Sequence, residues 1–130
     1  MGKPGNTGLR RIVNATSFSF AGFRAAWRDE AAFRQEALLC LVLVPTAFWL
    51  GRTAVERSLL IGSCLIVLIV ELLNTGIENV VDRVGQEHHR LSGQAKDLGS
   101  AAVFTSLMLT LVIWCLIAWE RFGAAALVDA

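Results

Sequence analysis

Hydrophobic and polar positions divide the chain into one amphipathic segment followed by three long apolar segments. Residues 98–119 carry no charge; at ~1.5 Å per residue they can cross ~30 Å of hydrocarbon. A second uncharged run covers residues 58–70. The third, residues 37–51, is short for a span, so we expect its helix to begin in the preceding charged residues. The pattern predicts membrane helices at about 29–50, 56–85 and 96–121.

The segment of about 8–27 has a different periodicity, typical of an amphipathic helix lying in the membrane interface. Arg10, Arg11 and Arg28 fall towards its polar side. The residues that share its apolar side are Leu9, Ile12, Val13, Thr16, Phe20, Phe23 and Trp27. We therefore predict an all-α membrane protein, with three transmembrane helices and an N-terminal surface helix.

Composition supports a single integral-membrane domain over residues 1–130. Hydrophobic residues make up 55% of the chain and the mean hydropathy is +0.55, above the ~45–50% apolar content of soluble domains. A net charge of +1 gives no indication of nucleic-acid binding. Cys40, Cys64 and Cys115 lie in apolar runs at wide spacing, so we interpret them as small hydrophobic residues.

The distribution of lysine and arginine predicts the orientation. Residues 1–36 carry six and residues 82–97 carry three, against two in residues 52–57 and one near the C-terminus. Positive charge is enriched in cytoplasmic segments. We therefore expect the N-terminus and the 83–97 segment in the cytoplasm, with the C-terminus outside.

An acidic stripe follows the second apolar run. Glu71, Asn74, Glu78 and Asp82 fall on one side of a helix. Like charges at this spacing repel each other, and burial raises their cost. A cation, a metal ion or protonation must neutralise them, unless the stripe is simply a solvated face where the helix leaves the membrane.

These residues alone leave three classes of function open. Carboxylates that hold magnesium, a lysine for phosphate charge and a desolvated carboxylate that takes a proton from a hydroxyl would suit phosphoryl transfer. Intramembrane carboxylates also mark ion or proton pathways. A non-catalytic subunit is the third class. The sequence has no Gly-x-Ser-x-Gly motif, phosphate-binding loop motif or protein-kinase motif set.

Two long blocks of sequence resemble the bacterial integral-membrane diacylglycerol kinases. Residues 71–83 (ELLNTGIENVVDR) and 85–103 (GQEHHRLSGQAKDLGSAAV) look like the signature of that family, and residues 23–36 (FRAAWRDEAAFRQE) resemble its other characteristic block. The resemblance covers about residues 9–123. It implies a homotrimer in the bacterial inner (cytoplasmic) membrane, with active sites between subunits, that transfers the ATP γ-phosphate to diacylglycerol and gives phosphatidic acid.

The resemblance also implies roles for individual residues. Glu71 matches the catalytic base and Glu30 and Glu78 match the Mg²⁺ ligands; Asn74, on the same stripe, joins Glu71 as a catalytic candidate. Positions that match nucleotide contacts are Arg11, Phe18, Glu30, Glu78, Glu87, His88, His89, Lys96 and Asp97. Positions that match the lipid site are Arg11, Trp27, Gln35, Glu36, Glu71, Ser100, Trp114 and Trp119.

Two positions depart from the best-known members of the family. Phe18 and His88 stand where those members have tyrosine, so only a ring contact is expected at Phe18.

Undecaprenol kinases share the Glu-x-x-Asn-Thr-x-Ile-Glu-x-x-Val-Asp core and are the nearest alternative. A small transporter or ion-pathway subunit that uses Glu71 and Glu78 is the alternative from another class.

Overall fold

A computed structural model describes residues 7–130, and every regular element within that range is helical. Helix α1 covers Leu9–Asp29, α2 Ala31–Leu50, α3 Ala54–Val84 and α4 Arg90–Ala118. A π-helical turn, Trp119–Gly123, joins α4 to the short helix α5, Ala124–Val128. The predicted all-α class is thereby confirmed, whereas the position of α1 at a membrane surface and the trimer stay predictions.

Three of these helical stretches are long and apolar enough to cross a membrane. They are Ala31–Leu50, Ala54–Val84 and Arg90–Val128, with mean hydropathies of 1.4, 2.1 and 2.3 over their most apolar parts. Large apolar side chains are exposed along all three, for example Leu41, Ile69 and Leu111. In water such a surface would be unfavourable, so lipid or further protein must cover it.

Helix α3 begins at Ala54, two residues before the predicted start, because Thr53 and Glu56 form a capping box. The Thr53 hydroxyl accepts a hydrogen bond from the Glu56 N–H at 3.1 Å, and the Glu56 carboxylate accepts one from the Thr53 N–H at 3.4 Å. Each side chain thus satisfies an N–H group that the helix leaves free.

The third membrane helix begins six residues earlier than predicted. The Nδ1 atom of His89 accepts a hydrogen bond from the Leu91 N–H at 3.1 Å and caps α4. The polar loop is therefore limited to residues 85–89. Lys96 lies in the second turn of α4 rather than at the predicted start of the helix.

A single non-helical residue, Glu30, separates α1 from α2. Its φ and ψ are −114° and 108°. The Arg34 guanidinium holds this break by donating hydrogen bonds to the carbonyls of Trp27 at 2.8 Å and Arg28 at 3.0 Å. A cation that satisfies the last carbonyls of a helix is favourable, so the backbone turns at Glu30.

Helix α3 packs against both α2 and α4 and runs antiparallel to each of them. One end of this bundle, which we call the turn end, contains the last turns of α2, the first turns of α3 and the last turns of α4. We call the opposite end, which carries Glu30, Glu78 and Lys96, the site end. The best-buried cluster, Ala47, Leu50, Leu60 and Ile117, lies at the turn end.

Arginines secure the turn end. Arg57 donates to the Gly51 carbonyl at 3.0 Å. Arg121 donates to the carbonyls of Trp49 and Leu50, and its guanidinium carbon lies 4.8 Å from the centre of the Trp49 ring. Arg121 thus satisfies the last carbonyls of α2 and Arg57 satisfies that of its C-cap residue, while both guanidinium groups lie over aromatic rings.

Candidate active site

Glu71 continues the buried face of α3. Leu60, Cys64, Val67 and Glu71 recur at spacings of four, three and four residues and are all buried, as expected for one face of a helix that packs against its neighbours. Only 6% of Glu71 is exposed. The sequence thus carries a carboxylate into the packed interface between helices, which excludes the interpretation of this residue as part of a solvated face.

Other carboxylates gather around Glu71. Glu30 and Glu78 lie close enough to repel it electrostatically, and Glu36 of α2 interacts with it in the same way. One carboxylate oxygen of Glu36, Oε2, is buried and has no hydrogen-bond partner. A buried acceptor without a donor is unfavourable. The site end therefore holds a group of carboxyl side chains suited to a cation or to donors from a ligand.

Asn74 links this group to α4. Its side-chain Nδ2 donates to Oε1 of Glu78 at 3.4 Å, whereas its Oδ1 is buried without a hydrogen-bond partner. That oxygen faces Gly99: a Cβ on Gly99 would lie 3.2 Å from Cγ of Asn74 and closer still to Oδ1. The amide fits beside α4 because position 99 lacks a side chain.

A polar cleft opens between the end of α3 and the start of α4. Its volume is about 410 Å³, and its lining includes Glu87, His88, His89 and Lys96, four of the residues predicted to contact nucleotide. Lys96 Nζ forms an ion pair with Asp82 Oδ1 at 2.7 Å. Small-molecule sites commonly have volumes of ~300–1,000 Å³, so this cleft can accept part of a nucleotide.

A second groove lies between α1 and α3. Its lining includes Gly22, Ala26, Glu30, Gly76 and Asn79. Small residues on both helices create the space, and Glu30 brings a carboxylate to it. The acidic group around Glu71 is therefore flanked by a polar cleft on the α4 side and by this more apolar groove on the α1 side.

The structure leaves several predicted site residues apart from this group. The predicted site residues that lie exposed on helix surfaces of the single chain, away from Glu71, are Arg11, Phe18, Trp27, Gln35, Asp97 and Ser100. Trp114 and Trp119 lie towards the turn end. Since Asn74 lies beside Gly99, Trp114 is about 15 residues, or ~22 Å, further along α4. Trp114 packs at the core cluster and donates from Nε1 to the Ser63 hydroxyl at 3.3 Å.

The predicted magnesium ligands, Glu30 and Glu78, do not form a complete metal site within the chain. No group of three or more His, Cys, Asp or Glu side chains in residues 7–130 has the arrangement to hold a metal ion. Glu30 and Glu78 both lie within electrostatic range of Glu71. Mg²⁺ is commonly held by one or two carboxylates together with water and substrate phosphates, so this donor set fits magnesium that arrives with a nucleotide.

Comparison with known proteins decides the family. The sequence profile described as Prokaryotic diacylglycerol kinase matches residues 17–118. The chain belongs to this family. It is similar to a diacylglycerol kinase of Escherichia coli K12, with 51% identity over 117 residues that cover 90% of this chain and 96% of the relative. A diacylglycerol kinase of Pseudomonas aeruginosa is 58% identical over 113 residues, covering 87% and 92% of the two chains.

Membership in the prokaryotic diacylglycerol kinase family confirms the predicted resemblance and the predicted enzyme class, a kinase, which implies ATP as co-substrate. The kinase class also decides between the functions that the residues left open, because neither an ion pathway nor a non-catalytic subunit would be expected of this family. Membrane character is confirmed by the three long apolar helices.

Sequence reasoning missed three residues that shape the site of this family member. Asp82 lies on the acidic stripe, and its ion pair with Lys96 joins α3 to α4. Gly99 accommodates Asn74, and Arg34 holds the break at Glu30. Asp82 could have been found from its position on the stripe. The other two contacts depend on how α2 follows α1 and on how α3 packs against α4, which the sequence pattern does not specify.

Proposed function

We propose that the protein transfers the γ-phosphate of Mg-ATP to the hydroxyl of diacylglycerol and so produces phosphatidic acid. The reaction would take place at the cytoplasmic surface of the bacterial inner membrane, in a homotrimer. One observation carries the proposal most directly: the buried carboxylate of Glu71 shares a helix face with Glu78, and Glu78 is within electrostatic range of Lys96 in the polar cleft.

Glu71 acts as the general base in this proposal. Its carboxylate lies among helices at the end of an apolar run, where water is largely excluded. It takes the proton from the lipid hydroxyl as that oxygen bonds to the γ-phosphorus of ATP, while the bond from this phosphorus to the bridging oxygen breaks and ADP leaves. Asn74, one turn further along α3, orients Glu78 through their hydrogen bond and completes this side of the site.

Glu30 and Glu78 would hold the magnesium ion. When bound, Mg²⁺ neutralises charge on the phosphate oxygens and so stabilises the transferring group. Glu78 is half-buried, nearly two turns beyond Glu71, and supplies carboxylate oxygens, which are the ligand atoms that Mg²⁺ prefers. Lys96 contributes a positive charge for the phosphates, while Glu87, His88 and His89 line the remainder of the cleft.

The lipid would approach from the bilayer along the exposed apolar surfaces of the helices. The other positions that match the family's contacts are Arg11, Phe18, Trp27, Gln35, Asp97, Ser100, Trp114 and Trp119. Trp114 in α4 and Trp119 just beyond it lie far from Glu71, so they can contact only the acyl chains of a diacylglycerol whose hydroxyl is at Glu71. In the proposed homotrimer, a neighbouring subunit would share each active site.

The decisive experiment is a radiolabelled transfer assay. Purified protein in mixed micelles receives γ-³²P-labelled ATP, Mg²⁺ and equal amounts of diacylglycerol and undecaprenol, and the labelled lipid is identified by chromatography. We expect labelled phosphatidic acid, lost when Mg²⁺ is removed by a chelator. Label in undecaprenyl phosphate would instead assign the chain to the other lipid alcohol, and an absence of labelled lipid would refute the proposed transfer.

A further inference from the structure

The ion pair between Asp82 and Lys96 is the only one between different helices in residues 7–130. Lys96 Nζ lies 2.7 Å from Asp82 Oδ1, and both residues line the polar cleft. An ammonium group has three N–H donors. One bond to Asp82 therefore leaves two donors for the oxygens of a phosphate group in the cleft.

Lys96 is also close enough to Glu78 to attract its carboxylate, which accepts the hydrogen bond from Asn74. Asp82 and Glu78 are four residues apart on α3 and so lie on the same face, one turn from each other. A flexible lysine between two carboxylates can bind either one. If Asp82 lost its charge, the ammonium group would be drawn towards Glu78 and the acidic group around Glu71.

We propose that Asp82 is a positioning residue, which holds the Lys96 ammonium group at the cleft and away from Glu78. This keeps Lys96 available for nucleotide phosphates and leaves the Glu78 carboxylate free for a cation. The inference rests on the proposed function, since it takes the cleft as the nucleotide site. Asp82 itself touches neither the lipid nor the reacting atoms in this proposal.

A purely structural role makes a different forecast. If the pair served only to fasten α3 to α4, removing the Asp82 charge would lower thermal stability and reduce the active fraction, with the KM for Mg-ATP unchanged. A positioning role requires weaker nucleotide binding and a greater need for Mg²⁺ in protein that is still folded. The two roles therefore differ in KM and binding affinity, and not in overall activity.

The test compares three single variants with the unchanged protein in the same detergent. Asp82→Asn removes the charge and keeps the shape, and Asp82→Glu keeps the charge. Asp129→Asn is the matched control, because it removes an exposed carboxylate at the opposite end of the bundle. Each is measured for kcat, for the KM values of Mg-ATP and lipid, for Mg²⁺ dependence, and for binding of a nonhydrolysable ATP analogue by calorimetry.

We expect Asp82→Asn to raise the KM of Mg-ATP and the Kd of the analogue by about threefold or more, an effect at or above the scale of an exposed ion pair. Its activity should require more Mg²⁺, while kcat and the KM for lipid change less than about twofold. Asp82→Glu should recover most of the affinity, and Asp129→Asn should behave like the unchanged protein.

A charge exchange keeps the proposal testable even if Asp82→Asn folds poorly. The double variant Asp82→Lys with Lys96→Asp rebuilds an ion pair between α3 and α4 but moves the cation to α3. We expect it to recover thermal stability and not nucleotide affinity. Unchanged KM and Kd values in Asp82→Asn, or full recovery of affinity in the exchange, would overturn the proposal. If the unchanged protein neither binds the analogue nor labels lipid, the proposed function fails instead.

Discussion

The two ends of the helical bundle differ in how they treat buried polar groups. At the turn end, Ser63 donates to the Leu60 carbonyl and accepts from Trp114, and Arg121 satisfies the last carbonyls of α2. At the site end, Glu36 Oε2 and Asn74 Oδ1 are buried without hydrogen-bond partners, and neighbouring carboxyl groups interact unfavourably.

This difference separates stability from function along the length of the bundle. A satisfied polar group in an apolar environment stabilises the packing of its helices, whereas an unsatisfied one is unfavourable until something binds it. We therefore expect substitutions at the turn end to change stability with little effect on the chemistry. Substitutions at the site end should do the reverse, and the following predictions test that division from the largest effect to the smallest.

The largest effect is expected for Glu71→Gln. Glutamine keeps the size of the side chain and removes the basic oxygen, so turnover should fall by ~10² or more, the scale of lost general-base catalysis. Thermal stability should be unchanged or higher, because a buried charge is removed. Steady-state kinetics and thermal unfolding in detergent measure the two quantities. Near-normal turnover in folded protein would exclude Glu71 as the base.

Glu78→Gln should affect a different kinetic constant. This change removes a carboxylate proposed to hold magnesium, so the KM for Mg-ATP should rise by about tenfold, with partial recovery at higher Mg²⁺ concentration. A magnesium titration at several ATP concentrations measures it. A loss of kcat alone, insensitive to added magnesium, would argue that Glu78 serves the chemical step rather than metal binding.

Leu60→Ala probes the turn end. Leu60 is fully buried in the cluster with Ala47, Leu50 and Ile117. Leu→Ala changes in soluble cores cost ~2–5 kcal/mol, part of which is transfer from water. In a bilayer the transfer part is largely absent, so we expect a loss of about 1–2.5 kcal/mol in unfolding assays. Activity per folded molecule should stay within about twofold, and a larger change in kcat would contradict the separation of the two ends.

Gly99→Ala places a methyl group where the Asn74 amide lies. Asparagine has a short side chain that can rotate, so the cost in stability should be small, about 1 kcal/mol. The rotated amide loses its hydrogen bond to Glu78, and we expect nucleotide KM or kcat to worsen by about threefold to tenfold. The same substitution at Gly62, where a Cβ would meet no atom within 4 Å, is the matched control and should leave both constants unchanged.

The smallest effect is expected for Trp114→Phe. The change removes the Nε1 donor to Ser63, whose hydroxyl still donates to the Leu60 carbonyl. Hydrogen bonds between membrane helices average about 0.6 kcal/mol, so unfolding should be easier by roughly that amount. The lipid KM is the second measurement, because a rise of tenfold or more would favour the predicted role of Trp114 at the lipid site over its packing role.

Much of the fold follows from the sequence because hydrocarbon imposes a minimum length on each helix. The three apolar runs predicted four of the six helix ends, both ends of α2 and both ends of α3, to within two residues. The early start of α4 was missed because its cap is His89, a less usual capping residue than serine or aspartate. Helical spacing alone predicted that Glu71, Asn74 and Glu78 lie on one side of a helix. Contacts between helices, such as Gly99 with Asn74, depend on packing depth and could not be predicted from spacing.

The break at Glu30 has a mechanical consequence for the membrane. Helix α2 has 20 residues and a length of ~30 Å, close to the hydrocarbon thickness of an average bilayer. A thinner or thicker bilayer changes the tilt of such a helix through hydrophobic mismatch. Because Glu30 immediately precedes α2, that tilt moves its carboxylate relative to Glu71. Bilayer thickness thereby becomes a physical variable of the site, transmitted through one helix.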